Sequence, residues 1–162
     1  MPNERAIDLT IRNAQLSDVA ALADLMTELG YATTEAEMLA RLNRILPDAR
    51  FKTLVAVAGD HVCGMIGTIS HASYEHNDFS GRITTLVVSG KMRRRGVGRE
   101  LVGAAERDFA LRQINRIAVN THLARKEAHG FYESLGYERN GWRFLKNLEI
   151  SRPLAADTRV RR

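Results

Sequence analysis

Arg93-Arg94-Arg95-Gly96-Val97-Gly98 lies between a β-branched run, Ile83 to Val88, and an amphipathic helical stretch, Arg99 to Arg112. A glycine-rich turn that feeds a helix leaves the N–H groups of the first helical turn without partners, and the helix dipole adds partial positive charge there. Gly96 and Gly98 have no Cβ atoms to hold a phosphate off the main chain, and three arginines can add charge-assisted bonds at the rim. The stretch therefore predicts an anion cradle and a phosphorylated ligand, although by itself it also fits a plain strand-to-helix connection with a solvated basic face. It has neither the Lys-Ser/Thr pair of a P-loop nor the third glycine and following acid of a dinucleotide-binding turn.

The rest of the chain decides between these readings. Its 162 residues suit one domain with a core that needs no staples, and we expect residues 1–150 to form that domain. A single cysteine, Cys63, excludes an internal disulfide and a cysteine-based metal site, which fits a reducing compartment and a cytoplasmic location. Met1 to Arg12 carries no apolar segment of signal-peptide length, and no run approaches a membrane span. The formal net charge of +5 favours anionic partners without separating nucleic acid from a small phosphorylated ligand.

From the N-terminus, Leu9 and Ile11 alternate with polar residues and predict a strand over Asp8 to Asn13. Ser17 is the expected N-cap of a first helix with an inward stripe of Leu16, Val19, Leu22, Leu25, Met26 and Leu29, ended by Gly30. Thr34 and Glu37 form a capping box for a second helix, with Met38, Leu39, Leu42, Ile45 and Leu46 on its apolar face and Pro47 as its stop. Thr53 to Ala58 and Val62 to Ser70 flank Gly59-Asp60 as an antiparallel hairpin. Gly64 and Gly67 in its second strand suggest a bulge, a close backbone approach, or a strand held by its neighbours. His71 to Gly81 extends the hairpin or forms a loop before a strand over Arg82 to Val88.

Leu101, Val102, Ala105 and Phe109 supply the inward stripe of the third helix. Arg116 to Thr121 is expected to lie parallel to the strand at Val88, as a right-handed crossover requires. A fourth helix over Arg125 to Leu135 ends at Gly136, and Tyr137 to Arg139 with Trp142 to Ile150 predicts a closing hairpin around Asn140-Gly141. The basic tail, residues 151–162, has no periodicity and is expected to be mobile. The order β, α, α, β, β, β, α, β, α, β, β predicts a mixed α/β fold, a mostly antiparallel sheet with one parallel crossover pair and four helices. Ligands in such sheets bind at the carboxyl ends of the strands, where the glycine turn begins.

Two motifs give the chain a family resemblance. Arg93 to Gly98 after Leu86-Val87-Val88 matches the pyrophosphate loop of the GNAT superfamily of N-acetyltransferases, and Phe131-Tyr132-Glu133-Ser134-Leu135-Gly136-Tyr137 matches that superfamily's aromatic-Tyr-Glu helix with its Leu-Gly-aromatic ending. The resemblance implies acetyl-CoA as the donor, held between a splayed parallel pair. It implies that the backbone of Leu86, Val87 and Val88 pairs with the pantetheine arm, that N–H groups from Arg94 to Arg99 hold the pyrophosphate, and that Arg93, Arg95 and Asn120 are further coenzyme contacts. By spacing alone Tyr132 reads as a core residue on an apolar stripe. The motif implies that it sits near the thioester sulfur, as a general acid to the departing thiolate. Backbone N–H groups at Val87 or Val88 are the implied oxyanion donors.

Two positions depart from the family pattern. Many relatives carry a glutamate on the strand before the glycine turn, but Arg82-Ile83-Thr84-Thr85-Leu86 has no carboxylate. Deprotonation of the amine must then come through water or from a loop group such as Glu75, His76 or His71, or the reaction draws on an already neutral fraction of the amine. Arg125 stands where many relatives have a coenzyme-contacting asparagine. Tyr31 and the Tyr74-Glu75-His76 segment are candidates for the acceptor pocket. His129 either contacts substrate or is satisfied against the sheet, and His61 and His122 read as structural or surface residues. No histidine pair has metal-ligand spacing, and no metal is expected.

Ala128-His129-x-Phe131-Tyr132 and Arg143-Phe144-x-Lys146-x-Leu148 also resemble aminoalkylphosphonate N-acetyltransferases in part, which implies a small amine bearing an anionic group. The resemblance makes a homodimer an expectation as well. The alternatives are a non-catalytic acyl-CoA-binding sensor of the same fold, favoured by the missing strand carboxylate, and a basic nucleic-acid-binding module, for which the chain has no recognised reading motif or row of stacking aromatics.

Overall fold

A computed structural model describes residues 7–149. Strand β1 (Leu9–Asn13) leads through a 3-10 turn (Leu16–Asp18) into helices α1 (Val19–Leu29) and α2 (Glu35–Ile45). Strands β2 (Phe51–Ala58), β3 (His61–His71) and β4 (Ser80–Val88) follow, then helix α3 (Val97–Leu111), strand β5 (Ile117–Val119) and helix α4 (Lys126–Ser134). The sheet runs in chain order, β1 to β5, antiparallel except for the β4–β5 pair.

The central strands are buried on both faces. Thr53–Ala56 on β2 and Cys63–Ile66 on β3 are each four consecutive buried residues, as expected where helices cover both sides of a sheet. Period-2 alternation divides them between two cores. Leu54, Ala56 and Ile66 pack with Val97, Leu101, Val102 and Ala105 of α3 and with Tyr132 of α4. Val55, Met65 and Val87 pack on the other face with Leu22 and Leu25 of α1 and Met38 and Leu42 of α2. Burying a leucine, isoleucine or phenylalanine side chain completely is worth about 1.5–3 kcal/mol, so Phe109, Leu22, Ile66 and Leu101 hold the two layers on the sheet.

The Thr34–Glu37 capping box forms as the sequence predicts. The Glu37 N–H donates to Thr34 Oγ1 at 3.2 Å, and the Thr34 N–H donates to Glu37 Oε2 at 2.8 Å. The start of α1 differs from expectation. Ser17 is exposed and caps nothing, and Leu16 also points outward, because the chain enters α1 through the 3-10 turn organised by Asp18. Asp18 accepts two bonds from the Arg12 guanidinium, both at 2.8 Å, and one from the Gln15 N–H at 2.8 Å. The Arg12 bonds hold this buried carboxyl below the ordinary aspartate range. A carboxylate that satisfies three donors outcompetes a serine hydroxyl for the turn. On α2, Leu39 is exposed, so the inward stripe is narrower than the sequence pattern.

Gly64 and Gly67 bring two of their three expectations together. A Cβ at Gly64 would lie 3.1 Å from Leu101 Cδ1 and 3.2 Å from the Val87 carbonyl oxygen, so α3 and β4 approach this backbone closely. Gly67 pairs with Thr85 and Thr68 pairs with Ile83, so Thr84 is the extra residue of a bulge on β4. The stretch between β3 and β4 is an irregular loop, and β4 begins at Ser80, earlier than predicted.

The closing hairpin is overturned. No residue from Tyr137 to Glu149 joins the sheet, and Trp142, Phe144, Leu145 and Leu148 are exposed. Asn-Gly turn chemistry is local, whereas a two-stranded hairpin is marginal without a further strand or a covered face, and β5 offers an edge of only three residues. Ile150 and the basic tail lie outside the described residues.

Candidate functional site

The β4–β5 ladder is short. Gly81, Arg82 and Ile83 pair with Ile117, Ala118 and Val119, and β4 then continues to Val88 while β5 has ended. The expectation of a parallel partner holds for the first part of β4 and not for its Val88 end. The bulge at Thr84 bends β4 where the two strands part. From there onward, the side of β4 that faces β5 borders a cleft of about 1090 Å³, lined by Thr84, Thr85, Leu86 and Val88. An amide-bearing arm laid along this edge would meet main-chain groups that no neighbouring strand uses.

The glycine turn closes one end of the cleft. Arg94 and Gly96 both take left-handed backbone conformations, at φ 60° and 80°, and Gly96 caps α3. The Gly96 carbonyl accepts the first helical bond, from the Glu100 N–H at 3.0 Å. The N–H groups of Val97, Gly98 and Arg99 therefore belong to the unpartnered first turn. Val97 is buried and anchors that turn, so the helix starts two residues earlier than predicted. A Cβ at Gly98 would sit 3.3 Å from Phe131 Cζ. The glycine thus lets α4 pack against the mouth of the cradle. Arg93, Arg94, Gly96, Gly98 and Arg99 line the cleft, and Arg93 Nε also donates to the Val88 carbonyl at 3.3 Å. Arg95 is exposed outside the lining, and the Val87 side chain is buried in the opposite core against α1 and α2.

Tyr132 reaches the cleft from α4. Its ring is buried, edge-to-face with Phe131 at 5.2 Å and with Tyr137 at 5.5 Å, and burial pushes its phenol up to about 12. Its hydroxyl bonds to none of the described residues. The Tyr137 phenol, by contrast, donates to Glu106 Oε1 at 2.9 Å, and burial raises it further out of the titrating range. Two neighbouring tyrosines are therefore held differently, one tied and one free to face a ligand. A buried phenol that stays protonated can donate to a leaving anion at neutral pH.

The far wall comes from the α1–α2 connection. Gly30 ends α1 at φ 112°, and Tyr31 follows it on the cleft wall with Met26, Leu29 and Arg41. Asn120 lines the cleft just beyond β5, and Arg125 donates through Nη2 to the Leu29 carbonyl at 3.1 Å, tying the start of α4 to the end of α1. Tyr74, Glu75 and His76 are exposed in the β3–β4 loop and His71 is exposed at the end of β3, all away from the lining. His129 contacts the His122 carbonyl, in the loop after β5, through Nε2 at 3.1 Å and is absent from the lining. His122 does line the cleft, but its Nδ1 accepts the Ala124 N–H at 3.1 Å, so the neutral ring carries its proton on Nε2.

Among the described residues Glu127 is the one carboxylate on the cleft wall, and it lies 4.0 Å from Arg94, beside the glycine turn. Arg143, the first residue of the ending quoted for the aminoalkylphosphonate resemblance, also lines the cleft, whereas Arg41 and Thr84 are cleft residues that motif reading did not single out. No local signal marks them, because each reaches the cleft from a different element. Among the described residues no group of three or more His, Cys, Asp or Glu side chains could hold a metal ion.

Comparison with known proteins gives consistent matches. The model of the acetyltransferase (GNAT) family matches residues 19–137. The aminoalkylphosphonate N-acetyltransferase of Salmonella typhimurium is 29% identical over 124 residues, covering 76% of this chain and 78% of that protein. A GNAT family acetyltransferase from Staphylococcus aureus superposes with a TM-score of 0.75 at 24% identity, over 86% of this chain and 98% of its own. An aminoglycoside 6'-N-acetyltransferase from Acinetobacter haemolyticus does so at 0.76 and 19% identity, over 88% of this chain and 99% of its own. These two structures share the fold described above.

Proposed function

The chain belongs to the acetyltransferase (GNAT) family, and from that premise we propose that it moves an acetyl group from acetyl-CoA to a primary amine of a small molecule by direct attack. The observation that carries this reading is a single cleft that gathers the glycine turn, the unpaired edge of β4 and Tyr132. The turn suits a diphosphate because Gly96 opens α3 with no Cβ and with open space where one would be, and the first-turn N–H groups of α3 have no helical partners. The pantetheine amides would complete the β4 edge from Thr84 to Val88. Asn120 and the arginines of the turn are the side-chain contacts of the coenzyme in this proposal.

In the reaction the amine nitrogen bonds to the acetyl carbon, the carbon–sulfur bond breaks, and the sulfur takes a proton. Tyr132 supplies that proton, and the N–H of Val88 faces the developing oxyanion, because the Ser89 N–H donates to the Cys63 carbonyl and strand alternation turns the Val87 N–H toward β3 as well. Holding both reactants in one cleft removes a barrier of about 7–11 kcal/mol relative to free encounter. With no carboxylate on the wall beside Tyr132, the amine reacts from its neutral form and its proton leaves through water.

The acceptor class we infer is a small amine with an anionic group, the class for which the Salmonella relative is named. An amine panel assayed for free thiol tests this, covering aminoalkylphosphonates, polyamines, aminoglycosides, amino acids and peptide N-termini. Turnover of the aminoalkylphosphonates is expected. Thiol release from none of these amines by a protein that binds acetyl-CoA would favour the non-catalytic acyl-CoA sensor instead.

A further inference from the structure

Among the described residues six arginines line the cleft against the single carboxylate of Glu127. Arg93, Arg94 and Arg99 belong to the glycine turn, where the phosphates of a coenzyme would need them. Arg41, Arg125 and Arg143 do not, and of these Arg41 and Arg125 are held in place by hydrogen bonds. Arg41 Nη1 donates to Thr33 Oγ1 at 3.0 Å, and Arg125 Nη2 donates to the Leu29 carbonyl at 3.1 Å. Both guanidinium groups are thus pinned to the short connection between α1 and α2, on either side of Tyr31 in the chain, and all three residues line the same cleft. Neither forms an ion pair among the described residues. Each has spent one N–H on a neutral acceptor and keeps the rest of its fork, up to four further donors, for something else.

We propose that Arg41 and Arg125 form the subsite that takes the anionic group of the acceptor, and that this group is a tetrahedral oxyanion, a phosphonate or a phosphate ester. One arginine fork satisfies a planar carboxylate, whereas two forks, brought from α2 and the start of α4 to one cleft, suit a group with three oxygens and two charges. The same pair disfavours polycations, because a cationic acceptor would meet two guanidiniums that form no ion pair among the described residues. Holding Arg41 and Arg125 by Thr33 and Leu29 fixes their forks before the ligand arrives, which lowers the ordering cost of binding. This assignment rests on the acetyl-transfer reading and names the side chains that would choose its acceptor.

Calorimetric titration tests it without requiring turnover. The full chain, saturated with CoA, is titrated with 2-aminoethylphosphonate, phosphoethanolamine, β-alanine and propylamine, and acetyl-CoA is titrated separately. We expect the phosphonate and the phosphate ester to bind at least about tenfold more tightly than β-alanine, and propylamine more weakly still. Arg41→Met and Arg125→Met should each weaken the phosphonate by about tenfold or more, with acetyl-CoA affinity within about twofold of the parent and unchanged melting behaviour. Arg41→Lys should fall between, since it keeps the charge and loses the fork. Equal binding of phosphonate and propylamine, or variants that lose acetyl-CoA affinity instead, would overturn the assignment. A protein that ignores acetyl-CoA would bring down the acetyl-transfer reading, while the same phosphonate titrations without CoA would still decide the subsite.

Discussion

Replacing Tyr132 with phenylalanine removes one oxygen atom and leaves the surrounding packing in place. The ring keeps its edge-to-face contacts with Phe131 at 5.2 Å and Tyr137 at 5.5 Å, each worth about 0.5–1.5 kcal/mol. The lost hydroxyl bonds to none of the described residues, so no buried partner is orphaned. Stability should therefore stay within about 0.5 kcal/mol, and the melting temperature within about 2 °C. If the phenol protonates the departing thiolate, kcat falls by about a hundredfold to ten-thousandfold. That range corresponds to about 2.7–5.4 kcal/mol of transition-state stabilisation. Thiol release under saturating acetyl-CoA and acceptor measures kcat, and calorimetry measures acetyl-CoA affinity, which should hold because the glycine turn is untouched. A variant that turns over within about threefold of the parent would remove Tyr132 from proton transfer and leave it as a core residue. A variant that loses acetyl-CoA affinity and turnover in parallel would instead make the hydroxyl a binding contact.

The pH profile follows from the same residue. With the Tyr132 phenol raised to about 12, kcat/KM should climb as the amine loses its proton and stay level to at least pH ~10, and a descending limb near neutrality would point to a different acid. Gly96→Asp should weaken acetyl-CoA binding by at least about tenfold, because it sets a carboxylate in the cradle and forces φ 80° on a side-chain-bearing residue; undiminished affinity in calorimetry would count against the cradle. Asp18 has its folded pKa lowered, so its contribution is complete above the unfolded value and is lost as pH falls through the folded one. Asp18→Asn leaves the half-exposed Arg12 with no charged partner, and should cost about 2 kcal/mol at neutral pH and flatten the loss of stability below pH ~4, as read by thermal melts across that range.

What the sequence determined by itself is the part written between near neighbours. The Arg93–Gly98 turn, the Thr34–Glu37 box, the Gly59-Asp60 hairpin and the inward stripe of α3 are each set by residues a few positions apart, so their chemistry can be read in a line. The motif around Tyr132 belongs to the same class, since one helix and its Gly136 ending carry it whole. Only the tertiary structure decided that β4 parts from β5 at the Thr84 bulge, that the Asn140-Gly141 pair makes no turn and its flanks join no sheet, and that Asp18 displaces Ser17 at the head of α1. It alone brought Arg41 and Arg125 to the loop that carries Tyr31. Arg125 and Leu29 are 96 positions apart, and their meeting depends on how two helix layers settle on opposite faces of one sheet. Packing of that kind sums many weak contacts over the whole chain, and no short stretch of residues contains it.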